Sequence, residues 1–228
     1  QEQRGVHETI ICYDADSGRE IWTRQIEARF DDPMGGPGPR ATPQLADGKL
    51  FVLGADGDLL SLNPVDGKII WQQNIGKIAQ RQPPMWGFSS SPLVVGGRVI
   101  VHAGGVADKG TLAFDATSGE LKWSAPAGDH SYSSAQLATI ADEDLVIMPT
   151  NLGLKLLDPA TGKVRLNYEW KHKGYRALQA QIIDGDNIVL PSGSGTGTRR
   201  IKITKSGDEL TAEEEWSNRN LKPDFNDF

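Results

Sequence analysis

Six large polar or aromatic side chains of this chain are placed where they can bind a ligand. Each lies in a loop just before a predicted strand, and two of these loops exceed the usual ~2–6 residues of ordered connections. Guanidinium, imidazole and phenol groups offer hydrogen bonds, and aromatic rings offer contact area, so the set suits a ligand funnel. The six candidates are Arg40, Trp86, His130, Tyr132, Tyr175 and Arg176.

The alternative role of these side chains is structural, since they can satisfy loop backbone groups and pack between neighbouring elements. For acid–base chemistry, Asp129 next to His130 is the one acid beside a base in such a loop. The four histidines, at positions 7, 102, 130 and 172, are spread along the chain without metal-ligand spacing. The sequence therefore assigns no catalytic residue and no metal site.

Other motifs are weaker. Cys12 has no second cysteine for an internal disulfide and is expected to be a buried strand residue. The stretch 14–18 begins like an EF-hand loop but lacks the glycine at the sixth place, which indicates a hairpin turn. The glycine-rich stretch 192–198 precedes a strand, so it lacks the helix N-terminus of a phosphate loop. The basic strand that follows is interpreted as a solvated edge.

The composition excludes several classes of protein. With 30 acidic and 24 basic residues among 228, the net charge is −6, which argues against nucleic acid or an anionic membrane as the main partner. No apolar run approaches the ~20 residues that cross a bilayer, so no membrane-spanning segment is predicted. Apolar residues make up 38% of the chain, an ordinary value for a folded domain.

An eleven-residue pattern recurs along the chain and indicates which elements position the candidate side chains. It runs from Cys12 to Trp22, returns at 61–71 and 113–123, and returns again with Asp158 and Gly162 but Leu166 in place of tryptophan. A fifth copy is visible as 206–207 and Trp216. The anchor positions are separated by 49, 52, 43 and 50 residues. This period is close to that of propeller blades and longer than that of ankyrin or tetratricopeptide repeats.

The local chemistry favours strands over helices. In each full copy, β-prone runs flank a loop rich in Asp, Ser, Thr, Pro and Gly, as in a hairpin. Two further strands precede each hairpin, and four antiparallel strands per ~50 residues form a propeller blade. The sequence therefore predicts an all-β fold, a β-propeller of four-stranded antiparallel blades, over a single region, 1–228. We assign 1–26 to the end of one blade that opens at its third strand, 40–75, 90–125, 133–170 and 178–218 to four blades, and 221–228 to the start of a further blade.

The stretch 113–123 resembles the tryptophan-docking repeat of the pyrroloquinoline quinone (PQQ) propellers. The family pattern, Ala-x-Asp-x-x-Thr-Gly-x-x-x-Trp, is matched except at Ser118. The resemblance implies that each tryptophan packs over the glycine turn of a neighbouring blade, while the copy with Leu166 docks more weakly or uses Trp170. The structural docking residues it implies are Trp22, Trp71, Trp123, Trp216, Gly18, Gly67, Gly119 and Gly162.

The stretches 35–43, 85–88, 130–134 and 221–228 are similar to a bacterial subgroup of PQQ-binding-like β-propeller repeat proteins. Members of the wider family usually have eight blades and are exported. The resemblance therefore implies a partial propeller, missing blades of the same chain, and a periplasmic, extracytoplasmic or secreted location, although no signal peptide is visible. A five-bladed ring closed by pairing of the two ends is the competing interpretation.

The leading functional prediction is a non-catalytic propeller that acts as an exported binding or assembly scaffold. It would hold a protein, peptide or carbohydrate ligand at its loop face without a cofactor. The alternative implied by the resemblance is a PQQ-dependent dehydrogenase of alcohols or sugars, or a degenerate relative, which would hold PQQ and Ca²⁺. Many such enzymes stack the quinone on a disulfide between adjacent cysteines, and Cys12 alone cannot form one. Whether the protein is an enzyme stays open, and we favour a non-enzyme.

Overall fold

The repeated pattern folds as a tight turn between two strands. In its second copy the backbone N–H of Gly67 donates to the carbonyl oxygen of Asn63 over 2.8 Å, and the side-chain oxygen of Asn63 accepts from the N–H of Val65. Gly67 has a φ of +68°, a left-handed conformation that glycine adopts without the steric cost of a Cβ. The same backbone bond closes the first, third and fourth copies at 2.8–2.9 Å, so the predicted hairpins are confirmed.

Five antiparallel sheets, here called blades 1 to 5, follow one another in the computed structural model, which describes residues 1–193 and 195–225. Blade 1 contains β1 (Glu2–Arg4), β2 (His7–Tyr13) and β3 (Glu20–Glu27), and the loop after it carries a small ladder of β4 (Asp31–Asp32) and β5 (Gly36–Pro37). Blade 2 contains β6 (Gln44–Ala46), β7 (Lys49–Leu53), β8 (Asp58–Leu62) and β9 (Ile69–Asn74), and the helix α1 (Ile75–Ala79) follows. Blade 3 contains β10 (Leu93–Val95), β11 (Arg98–His102), β12 (Thr111–Asp115) and β13 (Leu121–Ala125).

The last two blades repeat this order. Blade 4 contains β14 (Gln136–Ile140), β15 (Glu143–Thr150), β16 (Gly153–Leu157) and β17 (Val164–Glu169). Blade 5 contains β18 (Gln181–Ile183), β19 (Asn187–Ser192), β20 (Gly197–Ser206) and β21 (Glu209–Asn218). Within blades 2 to 5 each strand pairs with the next one in the chain, so these blades are four-stranded meanders. The predicted all-β fold of four-stranded antiparallel blades is confirmed.

Several predicted details differ from the structure. The prediction that the chain begins at the third strand of its first blade is wrong. The strand β1 precedes and pairs with β2, so β1 occupies the second-strand position of this blade. The helix α1 was not predicted, since five residues are too few to show a helical period. Residues 221–225 form no strand, and 226–228, the rest of the predicted further blade, lie outside the described residues. Among the described residues no ladder joins blade 1 to blade 5, so this part of the chain does not show the ring closed by strand pairing.

The apolar core lies between successive blades. On β11, Val99 and Val101 pack in one cluster with Phe51 of blade 2, whereas Ile100 packs in another with Val146 of blade 4. Successive side chains of a strand point to opposite faces of the sheet. A strand buried between two blades must therefore be apolar on both faces, which explains the continuous hydrophobic runs of the sequence.

Three tryptophans of the repeat lie against the glycine turn of the next blade. Trp123 on β13 donates its indole N–H to the carbonyl oxygen of Pro159 at 3.1 Å. Its ring covers Gly162 so closely that a Cβ on this glycine would lie 2.5 Å from Cε3 of the indole. Equivalent contacts at the two preceding joints join Trp71 to Ala116 and Gly119, and Trp22 to Pro64 and Gly67.

Two members of the predicted docking set make no such contact in the described residues. Trp216 on β21 remains 38% exposed. Over Gly18, no atom of another residue outside its chain neighbours lies within 4 Å of the position that a Cβ would take. The predicted docking role of these two residues is therefore not seen within this part of the propeller.

The joint between blades 4 and 5 uses different parts. Leu166 is buried in the same cluster as Leu210 of β21. Blade 5 joins its two ten-residue strands, β20 and β21, by the two-residue turn of Gly207 and Asp208, which is shorter than the turns at the other joints. No described atom outside its chain neighbours lies within 4 Å of a Cβ at Gly207, so this glycine receives no indole. Trp170 is also buried in this cluster, and the guanidinium carbons of Arg176 and Arg199 lie 4.8 and 4.5 Å from its ring centroid. Cation–π contacts thus accompany the apolar core at this joint.

Small residues at the start of the inner strands serve contacts between blades. The N–H of Thr42 donates to the hydroxyl oxygen of Ser91, and the N–H of Ser91 donates to that of Ser134, each over 2.9 Å. Neighbouring inner strands can approach this closely because their first residues carry short side chains. The described part of the chain holds no helix with the length and hydropathy needed to cross a membrane.

Candidate functional site

A cavity of about 370 Å³ lies at one end of the blades, where the connections between them meet. In an antiparallel meander, the loop that leaves the outer strand lies at the same end as the turn between the second and third strands. The loops that follow each of the five blades therefore reach this end, and all five contribute to the cavity. Its lining residues are Asp32, Met34, Gly35, Arg40, Trp86, Ser89, Tyr132, Ala177 and Phe225.

Five rings form one connected group beside the cavity, here called the aromatic cluster. The centroids of Trp86, Tyr132 and Tyr175 lie 4.8–5.2 Å from one another. His130 stacks on Tyr175 at 5.9 Å, and Phe225 stacks on the same tyrosine at 6.4 Å. These distances are those of favourable aromatic pairs, so rings from four successive loops support one another.

Hydrogen bonds between successive loops hold this cluster in position. Nε of Arg40 donates to the carbonyl oxygen of Trp86 at 3.2 Å, and the backbone N–H of Trp86 donates to the hydroxyl oxygen of Tyr132 at 3.3 Å. The hydroxyl of Ser89 donates to the carbonyl oxygen of Tyr132 at 3.1 Å. The N–H of Tyr132 in turn donates to the carbonyl oxygen of Arg176 at 2.8 Å. The loops after blades 1, 2 and 3 are thus each bonded to the loop after the next blade.

Arg40 forms an ion pair inside the cavity wall. Its guanidinium donates to Oδ2 of Asp32 over 2.6 Å and to the carbonyl oxygens of Gly36 and Gly38. The N–H of Gly35 and the arginine together lower the pKa of the Asp32 carboxyl, with the hydrogen bond from Gly35 as the largest cause. The carboxylate form of Asp32 is thus favoured, and its bonds with Arg40 and with backbone N–H groups hold the loop.

Arg176 does not line the cavity, and the prediction that placed it in the ligand funnel is wrong. Its side chain is 1% exposed and donates to the carbonyl oxygens of Thr150 and Trp170. Burial, followed by the charge of Arg199, lowers its pKa to about 10. The long side chain turns inward because the joint between blades 4 and 5 offers backbone carbonyl oxygens that accept its hydrogen bonds and an indole ring on which its guanidinium stacks.

The acid and the base of the predicted catalytic pair point to different partners. Oδ1 of Asp129 accepts from the side-chain amide of Asn151 at 2.9 Å. The imidazole of His130 lies in the aromatic cluster, and burial, followed by the charge of Arg81, lowers its pKa. Burial thus favours the neutral imidazole, while the charge of Asp129 opposes this shift without a hydrogen bond between the two described side chains.

A metal ion requires grouped ligand side chains, and the carboxylates of PQQ require cationic partners. In residues 1–193 and 195–225, no three His, Cys, Asp or Glu side chains are grouped to hold a metal. PQQ carries three carboxylates, whereas Arg40 is the single cationic group among the nine lining residues and is already bonded to Asp32. The lining of this cavity does not fit PQQ, and we derive no step through it.

Sequence reasoning found part of the cavity wall. Arg40, Trp86 and Tyr132 line the cavity, while Tyr175 contacts the ring of Trp86 and His130 contacts the ring of Tyr132. Five further lining residues were missed: Asp32, Met34, Gly35, Ser89 and Ala177. No repeat marks them, because they come from loops of different length. Phe225 lies in the stretch 221–228, which the sequence singled out as the start of a blade rather than as a wall of the site.

The meandering blades and repeated tryptophan turns define a β-propeller built from PQQ-like repeats. The chain belongs to the family whose model is described as "Outer membrane protein assembly factor BamB", which matches residues 6–219.

Proteins of two kinds are similar in sequence to this chain. A quinohemoprotein alcohol dehydrogenase, ADH IIB, from Pseudomonas putida is 31% identical over 126 residues, which are 50% of this chain and 17% of that protein. The outer membrane protein assembly factor BamB of Burkholderia pseudomallei (strain K96243) is 29% identical over 119 residues, 52% of this chain and 26% of that protein. The chain thus spans about a quarter or less of each relative's length.

Two solved structures share the fold. BamB from Moraxella catarrhalis aligns with a TM-score of 0.54 and 20% identity, over 90% of this chain and 61% of that one. A europium-containing methanol dehydrogenase aligns with a TM-score of 0.58 and 16% identity, over 92% of this chain and 49% of that one. Both are β-propellers, so the propeller architecture is shared with proteins of both kinds.

Proposed function

We propose that this chain forms part of a non-catalytic β-propeller that acts as an exported binding or assembly scaffold. Its loop face, the end of the blades that carries the cavity and the aromatic cluster, holds a protein partner. The location we propose is the periplasm or another compartment outside the cytoplasm, in keeping with the family description.

The construction of the cavity supports this proposal. Its wall is largely apolar. The charged groups in the wall, Asp32 and Arg40, bond each other, and backbone groups provide their further hydrogen bonds. A rigid concave surface of this kind binds by shape and apolar contact. The acid and the base that the sequence offered do not act as a pair here, since Asp129 bonds Asn151 and His130 stacks on Tyr175.

A second candidate, a PQQ-dependent dehydrogenase or a degenerate relative, is favoured by one observation. The 31% identity to the quinohemoprotein alcohol dehydrogenase covers half of this chain. In this candidate PQQ would bind with groups from outside the described residues. Incubation of the full-length protein with PQQ and Ca²⁺ separates the two candidates. Stoichiometric quinone uptake with oxidation of an alcohol or sugar would reject the scaffold, and no uptake at micromolar PQQ would reject the enzyme.

Site-specific photo-crosslinking tests the scaffold itself. A benzoylphenylalanine replaces Met85, which is 73% exposed beside Trp86 on the loop face. The matched control replaces Val65, which is 79% exposed in a hairpin turn at the opposite end of blade 2. In cells that produce the full-length protein, we expect a discrete protein adduct from position 85 and none from position 65. Equal adducts from both positions, or none from position 85, would contradict the proposal.

A further inference from the structure

We infer that the cavity binds one bulky apolar or aromatic side chain of an extended polypeptide, together with its adjoining peptide unit. This inference deepens the proposed function and rests on it, since it names the ligand that the loop face would hold.

The size of the cavity fits such a side chain. An apolar protein cavity of ~150 Å³ holds a benzene molecule. The cavity here measures about 370 Å³, so it has room for one aromatic ring and the main chain that carries it. It is open to solvent at a rim where Met34 and Phe225 are exposed. Methionine adapts its shape to varied partners, which suits a ligand of variable sequence.

The free hydrogen-bonding capacity of Tyr132 and Ser89 in the wall matches one peptide unit. Oδ1 of Asp32 accepts from two backbone N–H groups, and its Oδ2 accepts from Arg40. The hydroxyl of Tyr132 accepts from the N–H of Trp86 and retains its own proton for donation. The hydroxyl of Ser89 donates to a carbonyl and retains a lone pair for acceptance. One donor and one acceptor complement the C=O and N–H of a peptide group.

A saccharide suits this wall less well. Each hydroxyl group of a sugar both donates and accepts, and a buried group that finds no partner costs free energy. Tyr132 and Ser89 together offer fewer unused partners than the several hydroxyls of a hexose need. A charged side chain is disfavoured too, because Asp32 and Arg40 already neutralise each other and leave no charge to pair with it.

Binding of short peptides to the full-length protein tests the inference. The probes are acetyl-Gly-Gly-Xaa-Gly-Gly-amide peptides with Phe, Leu, Ala or Lys at Xaa, and maltotriose and cellotriose serve as saccharide probes. Affinities are measured by ligand-observed NMR at millimolar concentrations. Because the ring is buried, we expect the Phe peptide to bind at least about tenfold more tightly than the Ala peptide. We expect the Lys peptide and both saccharides to show no saturation.

Two variants locate the binding in the cavity. Tyr132→Phe keeps the ring but removes the proton donor, and we expect about two- to tenfold weaker binding of the Phe peptide. Ala177→Trp fills the cavity, and we expect loss of binding. The control is Tyr168→Phe, since the hydroxyl of Tyr168 bonds Arg199 and Glu214 outside the cavity, and we expect unchanged affinity. Circular dichroism shows whether each variant is folded.

Each contrary result has a distinct meaning. If the Phe and Ala peptides bind equally, or if the Phe peptide binds the Ala177→Trp variant as tightly as the unmodified protein, the inference is overturned. If a saccharide saturates and the peptides do not, the peptide is the wrong ligand while binding at the loop face stands. If no probe binds but position 85 still crosslinks a protein, the peptide inference alone fails. If no probe binds and position 85 gives no adduct, the proposed function fails as well.

Discussion

A substitution that adds one methyl group at the joint between blades 3 and 4 tests how much the tryptophan contact contributes to the stability of the fold. Gly162 has a φ of +72°, and Gly185, in the turn between β18 and β19, has the same φ. A Cβ at Gly162 would lie 2.5 Å from Cε3 of Trp123, whereas nothing lies within 4 Å of a Cβ at Gly185. The substitutions Gly162→Ala and Gly185→Ala therefore share their backbone strain and differ in the indole contact alone.

The expected difference follows from these distances. The shared left-handed conformation costs each alanine about 1–2 kcal/mol. At Gly162 the indole must also move by about 1 Å, and such overpacking costs about 1–3 kcal/mol. The hydrogen bond from Trp123 to Pro159 is lengthened by the same movement. We expect Gly162→Ala to cost about 2 kcal/mol more than Gly185→Ala, or about 4–8 °C in melting temperature for a chain of this size.

Thermal unfolding followed by circular dichroism measures this difference in the 228-residue chain. Trp123→Ala in the Gly162→Ala background gives a second check, because removal of the ring removes the clash. The cost of Gly162→Ala should then fall to that of Gly185→Ala. Equal melting temperatures for the two single variants would refute the reasoning, since the indole contact would then carry no energetic weight.

Three further predictions concern buried groups at other joints. Burial, followed by the charges of nearby acids, raises the folded-state pKa of Glu8, so its contribution to stability is present at low pH and is lost as the pH rises through that value. At pH 7 Glu8→Gln should therefore raise the melting temperature above that of the unmodified protein, and at pH 5 this rise should be smaller. An equal effect of the substitution at the two pH values would contradict this. Leu166→Trp restores the repeat pattern but should destabilise the chain by about 1–3 kcal/mol, because Leu210 fills the space; a higher melting temperature would refute that packing. Arg176→Lys should lower the melting temperature by several degrees, since lysine cannot stack on Trp170 and bond two carbonyls at once; an unchanged melting temperature would show that Arg176 has no structural role.

The fold could be predicted because the repeat carries it in the sequence. The turn needs Asp or Asn and then Gly at fixed positions, and these residue types recur at a constant offset from Trp22, Trp71 and Trp123. The extra strand β1 was missed because three residues without alternation give no signal of their own. A short strand is formed by its neighbour, here β2, rather than by its own propensity.

The site was predicted less completely because it is built from the parts of the chain that do not repeat. Trp86 and Tyr132 were identified by residue type and by their position before an inner strand. Asp32 was missed because its role depends on an ion pair with Arg40 that loop conformation alone creates. Arg176 was misplaced for a related reason, since sequence does not reveal which way a long side chain turns at the end of a loop.

The first three joints of this chain present the same set of parts: an indole on one blade, and a backbone carbonyl and a bare glycine on the next. A blade that is duplicated or removed between these joints leaves matching surfaces on both sides of the cut. Unequal recombination within the gene can therefore change the number of blades without the invention of a new interface. The joint between blades 4 and 5, where Leu166 and Leu210 lie in one apolar cluster, lacks these parts, so a blade moved to it from the other joints would not meet a matching surface.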